Sequence, residues 1–95
     1  MTKQPIKTKQ TIQVFKALAD PVRLEILQYL NGLDHEVACG EVGAAIGISK
    51  TSGTYHFKIL QAAGLITARK EAREKYVAID RGTFDDVVGH FWDQL

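Results

Sequence analysis

The stretch from Ser49 to Gly64, Ser-Lys-Thr-Ser-Gly-Thr-Tyr-His-Phe-Lys-Ile-Leu-Gln-Ala-Ala-Gly, carries a helix start, a helix stop and one apolar face between them. The Ser49 hydroxyl can accept a hydrogen bond from a free amide of a first helical turn, so it predicts an N-cap. Gly64 can take the left-handed conformation that closes a helix. Gly53, Phe57 and Leu60 fall on one face at helical spacing, and Ile59 and Ala63 flank that stripe. The other face carries Lys50, Thr51, Thr54, Tyr55 and Lys58, concentrated in the N-terminal half. A solvated face of an ordinary amphipathic helix has this look, and so does a helix whose N-terminal end enters a major groove to meet base edges and phosphates. The neighbouring segments favour the second reading.

Ahead of it the chain divides cleanly. Residues 1–9 are polar, with Pro5, and are expected to form a flexible arm. A first helix is expected from Gln10 to Ala19, with Ile12, Phe15 and Leu18/Ala19 as one stripe. Asp20-Pro21 restarts the chain, Asp20 as cap and Pro21 at the first helical position, where no amide donor is needed. This second helix runs to about Leu30 and is apolar around much of its girth, so it should be central; Asn31-Gly32 ends it. Glu36-Val37-Ala38 can form a short strand. A third helix is expected from Gly40 to Ile46, with Val42, Ala45 and Ile46 inward, before Gly47. The Gly47-Ile48-Ser49 link has the length of a helix-turn-helix turn.

After Gly64, residues 65–71 and 74–79 read as two strands around a tip at Ala72-Arg73. Gly82 to Leu95 reads as the last helix, capped by Thr83, with Asp85 and Asp86 in the dipole-favoured first turn. Phe84, Val87, Val88, Phe91, Trp92 and Leu95 give it a broad apolar face. The expected fold is mainly α with a small β-hairpin, a winged helix-turn-helix of order α1-α2-α3-α4-β-β-α5 over residues 10–95. A domain of 95 residues buries only about 60 to 65% of the surface its unfolded chain exposes. A two-fold interface of Ile12, Phe15, Phe84, Val87, Val88, Phe91, Trp92 and Leu95 would bury the surplus. The plainer alternative is that the last helix closes the monomer core.

The net charge of +1 hides segregation. Segments 1–20 and 49–75 are net positive, and segments 21–48 and 76–95 net negative. The positive charge of Lys50, Lys58, Arg69, Lys70, Arg73 and Lys75 lies on the helix and hairpin, as a polyanion footprint requires. A single cysteine excludes an internal disulfide. No apolar run is long enough for a membrane span, and the polar N-terminus lacks a secretory signal pattern, so the expected location is the cytoplasm. No nucleophile–base pair, glycine-rich phosphate loop or paired carboxylates indicate an enzyme.

Three stretches resemble the ArsR-type (SmtB-like) winged-helix regulators. They are Phe15 to Leu27, with its Ala-Leu-Ala-Asp-Pro-Val-Arg-Leu core; Ser49 to Ile66, ending Ala63-Gly64-Leu65-Ile66; and Arg69 to Tyr76. The resemblance spans roughly residues 12–92. It implies a homodimeric cytoplasmic repressor that binds double-stranded DNA at a palindromic operator and releases it when an inducer arrives. It carries Lys50, Thr51, Ser52, Thr54, Tyr55 and Lys58 over as groove-facing, and Arg69, Lys70, Arg73 and Lys75 as the wing. Thr54, Tyr55 and His56 stand where the family has Ser-x-His; His56 either packs inward or joins the DNA contact. Gly53 departs from the family's apolar residue, and Ala72-Arg73 from its Gly-Arg tip.

The family's metal sensors use a Cys-x-Cys pair or Asp and His on the last helix. This chain offers only the half-sites His35 with Cys39 and Asp86 with His90, beside Asp85. No metal site and no cofactor are assigned. Cys39, at a helix N-terminus where a thiolate is favoured, is a second candidate sensor. A rival to the whole reading uses the same helix face for a protein partner and binds no specific DNA.

Overall fold

The structure, a computed structural model, describes residues 8–95. The expected arm lies outside them, except that Thr8 and Lys9 already belong to the first helix. Chain order is α1 (Thr8–Leu18), α2 (Pro21–Asn31), β1 (Val37–Ala38), α3 (Cys39–Ile46), α4 (Lys50–Ala62), β2 (Ile66–Glu71), β3 (Glu74–Ile79), α5 (Arg81–Thr83), a π-helical stretch (Phe84–Gly89) and α6 (Phe91–Gln94). The short strand expected at Glu36-Val37-Ala38 forms over Val37–Ala38 and joins the hairpin. β1 adds to it as an antiparallel edge in the order β1-β3-β2, with Val37 opposite Val77 and Ala38 opposite Tyr76.

α2 is the central helix, since Ile26, Leu27 and Leu30 are buried together with Val14 of α1, Val42 of α3, Leu60 of α4, and Leu65 and Val77 from the sheet side. Its start is as expected: Asp20 is extended and its Oδ2 accepts from the Arg23 amide at 3.0 Å. Its end is not. Gly32 stays right-handed at φ −75° and closes the helix with a tight turn, its amide donating to the Tyr29 carbonyl at 3.3 Å and that of Leu33 to Leu30 at 3.0 Å.

Two faces differ from the expectation. In α1 the core takes Thr11, Val14 and Ala17, while Ile12 and Phe15 point outward. In α3 it takes Val42 and Gly43, and Ala45 is exposed. Gly43 is buried because the chain doubles back over it: an added Cβ would lie 3.7 Å from the Ile48 side chain.

The last segment departs most. It begins at Arg81, and its cap is Asp80, whose Oδ1 accepts from the Thr83 amide at 3.1 Å; Thr83 caps nothing with its side chain. The carboxylate of Asp80 sits three residues ahead of that free amide, which is the reach an N-cap needs. The helix then widens. The His90 amide donates five residues back, to Asp85 at 2.9 Å, and His90 leaves helical geometry at φ −109°, ψ 20° before α6. Val87 enters the monomer core, so of the eight expected interface residues it belongs to the fold itself. Phe91 meets Phe15 edge to face, with ring centroids 4.9 Å apart.

Gly53 is buried inside α4. A Cβ there would meet Ile48 Cδ1 at 3.5 Å and Phe57 Cε2 at 3.6 Å, both ordinary contacts. Gly53→Ala is therefore expected to stabilise the domain by about 1 kcal/mol, through lower unfolded-state entropy and one buried methyl group. Urea unfolding followed by circular dichroism measures it.

Candidate nucleic-acid interface

Between α3 and α4 the chain reverses at Gly47, whose φ of 77° no side chain adopts easily. The amides of Gly47 and Ile48 both donate to the Gly43 carbonyl, at 2.9 and 3.0 Å, which closes α3. Two residues later Ser49 caps α4, its Oγ accepting from the Ser52 amide at 3.1 Å. At the far end Gly64, at φ 81°, ends α4 while the Leu65 amide donates to the Leu60 carbonyl at 3.0 Å. Both caps of this helix are those expected.

Gly53, His56, Phe57 and Leu60 are buried, and Lys50, Thr51, Thr54, Tyr55 and Lys58 are exposed; Ser52 is half-buried. Among these, Thr54 Oγ1 donates to the Lys50 carbonyl at 2.9 Å. His56 does not join the outward group. Only 8% of it is exposed, and it is turned onto α2, where its Nδ1 lies 3.1 Å from Arg23 Nη1 and 3.8 Å from Asp20 Oδ2. The physical cause is its place on the same stripe as Phe57 and Leu60.

Arg23 is the residue that sequence reasoning missed. It is buried on the core stripe of α2, and its Nε donates to the Ala17 carbonyl at 2.7 Å and its Nη2 to the Lys16 carbonyl at 3.2 Å. These are end carbonyls of α1, where the intrahelical ladder runs out; that of Lys16 also accepts from the Ala19 amide at 3.2 Å. One guanidinium thus ties α1, α2 and α4 together. The signal was present: Arg23 stands at the helical spacing that Ile26, Leu27 and Leu30 continue, so a charged group had to enter the core or break the stripe. The hydrogen bond from the Arg23 amide, then the charge of the Arg23 guanidinium, hold the Asp20 carboxyl below its ordinary value.

The wing is β2, β3 and their tip. Ala72 takes the left-handed turn conformation, at φ 54°, that a glycine would adopt more easily. Lys70 and Arg73 are exposed and Lys75 half-buried, so their charges stand at the surface of the hairpin. Arg69 differs. Its Nη1 donates to Glu71 at 2.8 Å and its Nε to Glu36 at 3.1 Å, and its guanidinium lies 4.9 Å from the Tyr76 ring centre. Those two carboxylates raise its pKa and already neutralise the cation.

The candidate sensing groups do not converge. His35 pairs with Asp34 at 3.1 Å, and His90 with Asp93 at 3.4 Å rather than with Asp86. Among the described residues no three His, Cys, Asp or Glu side chains are placed to share a metal ion. Cys39 starts α3, but burial pushes its thiol up, against the opposing charge of Lys75. None of the described helices is long and apolar enough to cross a membrane.

A family described as a helix-turn-helix domain matches residues 18–69. The chain is 45% identical over 83 residues to the uncharacterized HTH-type transcriptional regulator YceK of Bacillus subtilis, covering 87% of this chain and 83% of that one. A solved structure of an ArsR family transcriptional regulator superposes with a TM-score of 0.81 at 25% identity, over 96% of this chain and 92% of that one. The homodimeric winged helix-turn-helix DNA-binding domain of a possible ArsR-family regulator from Mycobacterium bovis superposes with a TM-score of 0.72 at 25% identity, over 100% and 96% of the two chains. With an exposed polar helix face and a wing built on that frame, the chain belongs to the ArsR-type winged helix-turn-helix transcriptional regulators.

Proposed function

We propose that this protein is a homodimeric repressor that sets its two α4 helices into the half-sites of a palindromic operator and leaves it when an inducer binds. The observation that carries the reading is the split of α4: Lys50, Thr51, Thr54, Tyr55 and Lys58 face solvent while Gly53, His56, Phe57 and Leu60 are buried. A helix held so firmly on one side presents a rigid row of cationic and hydrogen-bonding groups on the other, as major-groove reading requires. Lys70, Arg73 and Lys75 supply the phosphate contacts beside it. The apolar surface of Ile12, Phe15, Trp92 and Leu95, exposed on the first and last helices, supports the dimer. So does the homodimeric state of the Mycobacterium bovis domain. The repressor sense rests on the family resemblance of the three motifs.

The test is fluorescence anisotropy on the DNA upstream of the protein's own gene against a scrambled duplex, at two salt concentrations, with wells containing zinc or peroxide. About nanomolar binding that weakens as salt rises is expected for the native duplex only. Equal, weak binding to both duplexes overturns the reading in favour of a protein partner.

In the same assay Arg73→Ala or Lys70→Ala should lower the slope of log affinity against log salt by about one for each phosphate left unneutralised. Arg69→Ala should change the slope by less than half as much, because Glu36 and Glu71 already hold that cation.

A further inference from the structure

Residues 50–58 include no Arg, Asn or Gln, so on the outward face of α4 only Lys50 and Lys58 can recognise a base by paired hydrogen bonds. Thr54 donates its hydroxyl proton to its own helix, at the Lys50 carbonyl. It can offer a base only its oxygen lone pairs and its methyl group. What stands out instead is Tyr55, a large aromatic side chain 61% exposed in the middle of the helix.

Its support is unusual for an exposed residue. The Tyr55 ring meets His56 edge to face, with centroids 5.1 Å apart and planes at 69°. His56 is itself buried and held at 3.1 Å by Arg23, whose other donors grip the end of α1. The exposed ring therefore rests on a side chain anchored to two other helices. An aromatic ring has few rotatable bonds, so placing it against a partner forfeits little entropy. In the major groove the base that presents an apolar edge is thymine, through its C5-methyl group.

We propose that Tyr55 is the specificity-determining residue of α4, and that its ring reads one thymine in each half-site by packing on the C5-methyl group. The proposal rests on the reading of the chain as a sequence-specific DNA binder. The alternative use of the same residue is a phenolic hydroxyl on a phosphate, which carries no sequence information.

The two uses separate by chemistry. Selection from random duplexes first supplies the preferred site. Each thymine in it is then replaced by deoxyuridine, which keeps the pairing and removes only the methyl group. Binding is measured for the wild-type protein, Tyr55→Phe and Tyr55→Ala, with circular dichroism confirming that the exposed substitutions leave the fold intact. The expected result is one thymine per half-site where uracil weakens binding about fourfold, the effect of withdrawing one buried methyl group. That penalty should persist in Tyr55→Phe and vanish in Tyr55→Ala. Uracil penalties that are absent, or that survive in Tyr55→Ala, overturn the proposal while leaving specific binding intact. Loss of affinity in Tyr55→Phe, with no uracil penalty at any thymine for the wild-type protein, assigns the residue to a phosphate through its hydroxyl and also overturns it. A selection that enriches no sequence overturns the underlying DNA reading instead.

Discussion

Arg23→Ala is expected to destabilise the domain by about 3 to 4 kcal/mol, the largest effect of any single substitution outside the apolar core. The side chain is 9% exposed and makes three hydrogen bonds, to the Ala17 carbonyl, the Lys16 carbonyl and His56 Nδ1. Truncation leaves the Ala17 carbonyl and a buried imidazole nitrogen without their donor, each at about 1 to 3 kcal/mol before local relaxation and water entry, while the Lys16 carbonyl keeps the Ala19 amide. A small domain holds only about 5 to 15 kcal/mol in total. Arg23→Lys should recover part of the loss, since an ammonium supplies charge and donors but not the planar fork that spans three acceptors. Urea unfolding of the three proteins by circular dichroism decides it. A cost below about 1 kcal/mol for Arg23→Ala would mean that water replaces the guanidinium, and that α1 and α4 are not held through it.

Ile12→Glu combined with Trp92→Glu should turn the protein into a monomer and lower operator affinity at least about a hundredfold. Ile12 is 48% exposed and Trp92 83% exposed, so neither change disturbs the core of one chain. Both place a carboxylate on the apolar surface proposed as the two-fold interface, where like charges from the two copies would be desolvated against each other. A dimer holds its second α4 at high effective concentration once the first has bound, and a monomer forfeits that advantage entirely. Sedimentation velocity gives the oligomeric state and anisotropy the affinity. A variant that stays dimeric removes this surface from the interface; one that becomes monomeric yet binds as tightly as before removes the need for a dimer.

Legibility in the sequence followed the range of the forces concerned. Asp20, Ser49, Gly47 and Gly64 act within a few residues of themselves, through a capping oxygen or a left-handed φ, and their roles were readable from order alone. The same holds for the exposed polar row of α4, whose membership follows from helical spacing. Gly32 and Thr83 show the limit even at short range. Asp80 offered a better cap than Thr83 one turn earlier, and a right-handed turn closed α2 without using the freedom of its glycine.

What the tertiary structure decided was which of two plausible faces is buried and which charge meets which partner. The stripe of Ile12 and Phe15 was visible, but α1 packs through Thr11, Val14 and Ala17, because α2 and α4 present their apolar surfaces there. His56 carried a groove-facing or an inward reading equally well until Arg23, thirty-three residues away in sequence, was placed at 3.1 Å. Arg69 looked like a phosphate contact until the fold brought Glu36 against it from the far side of the sheet. Caps and periodicity are written by neighbours along the chain; burial and charge pairing depend on groups that only packing brings together, and no local pattern contains them.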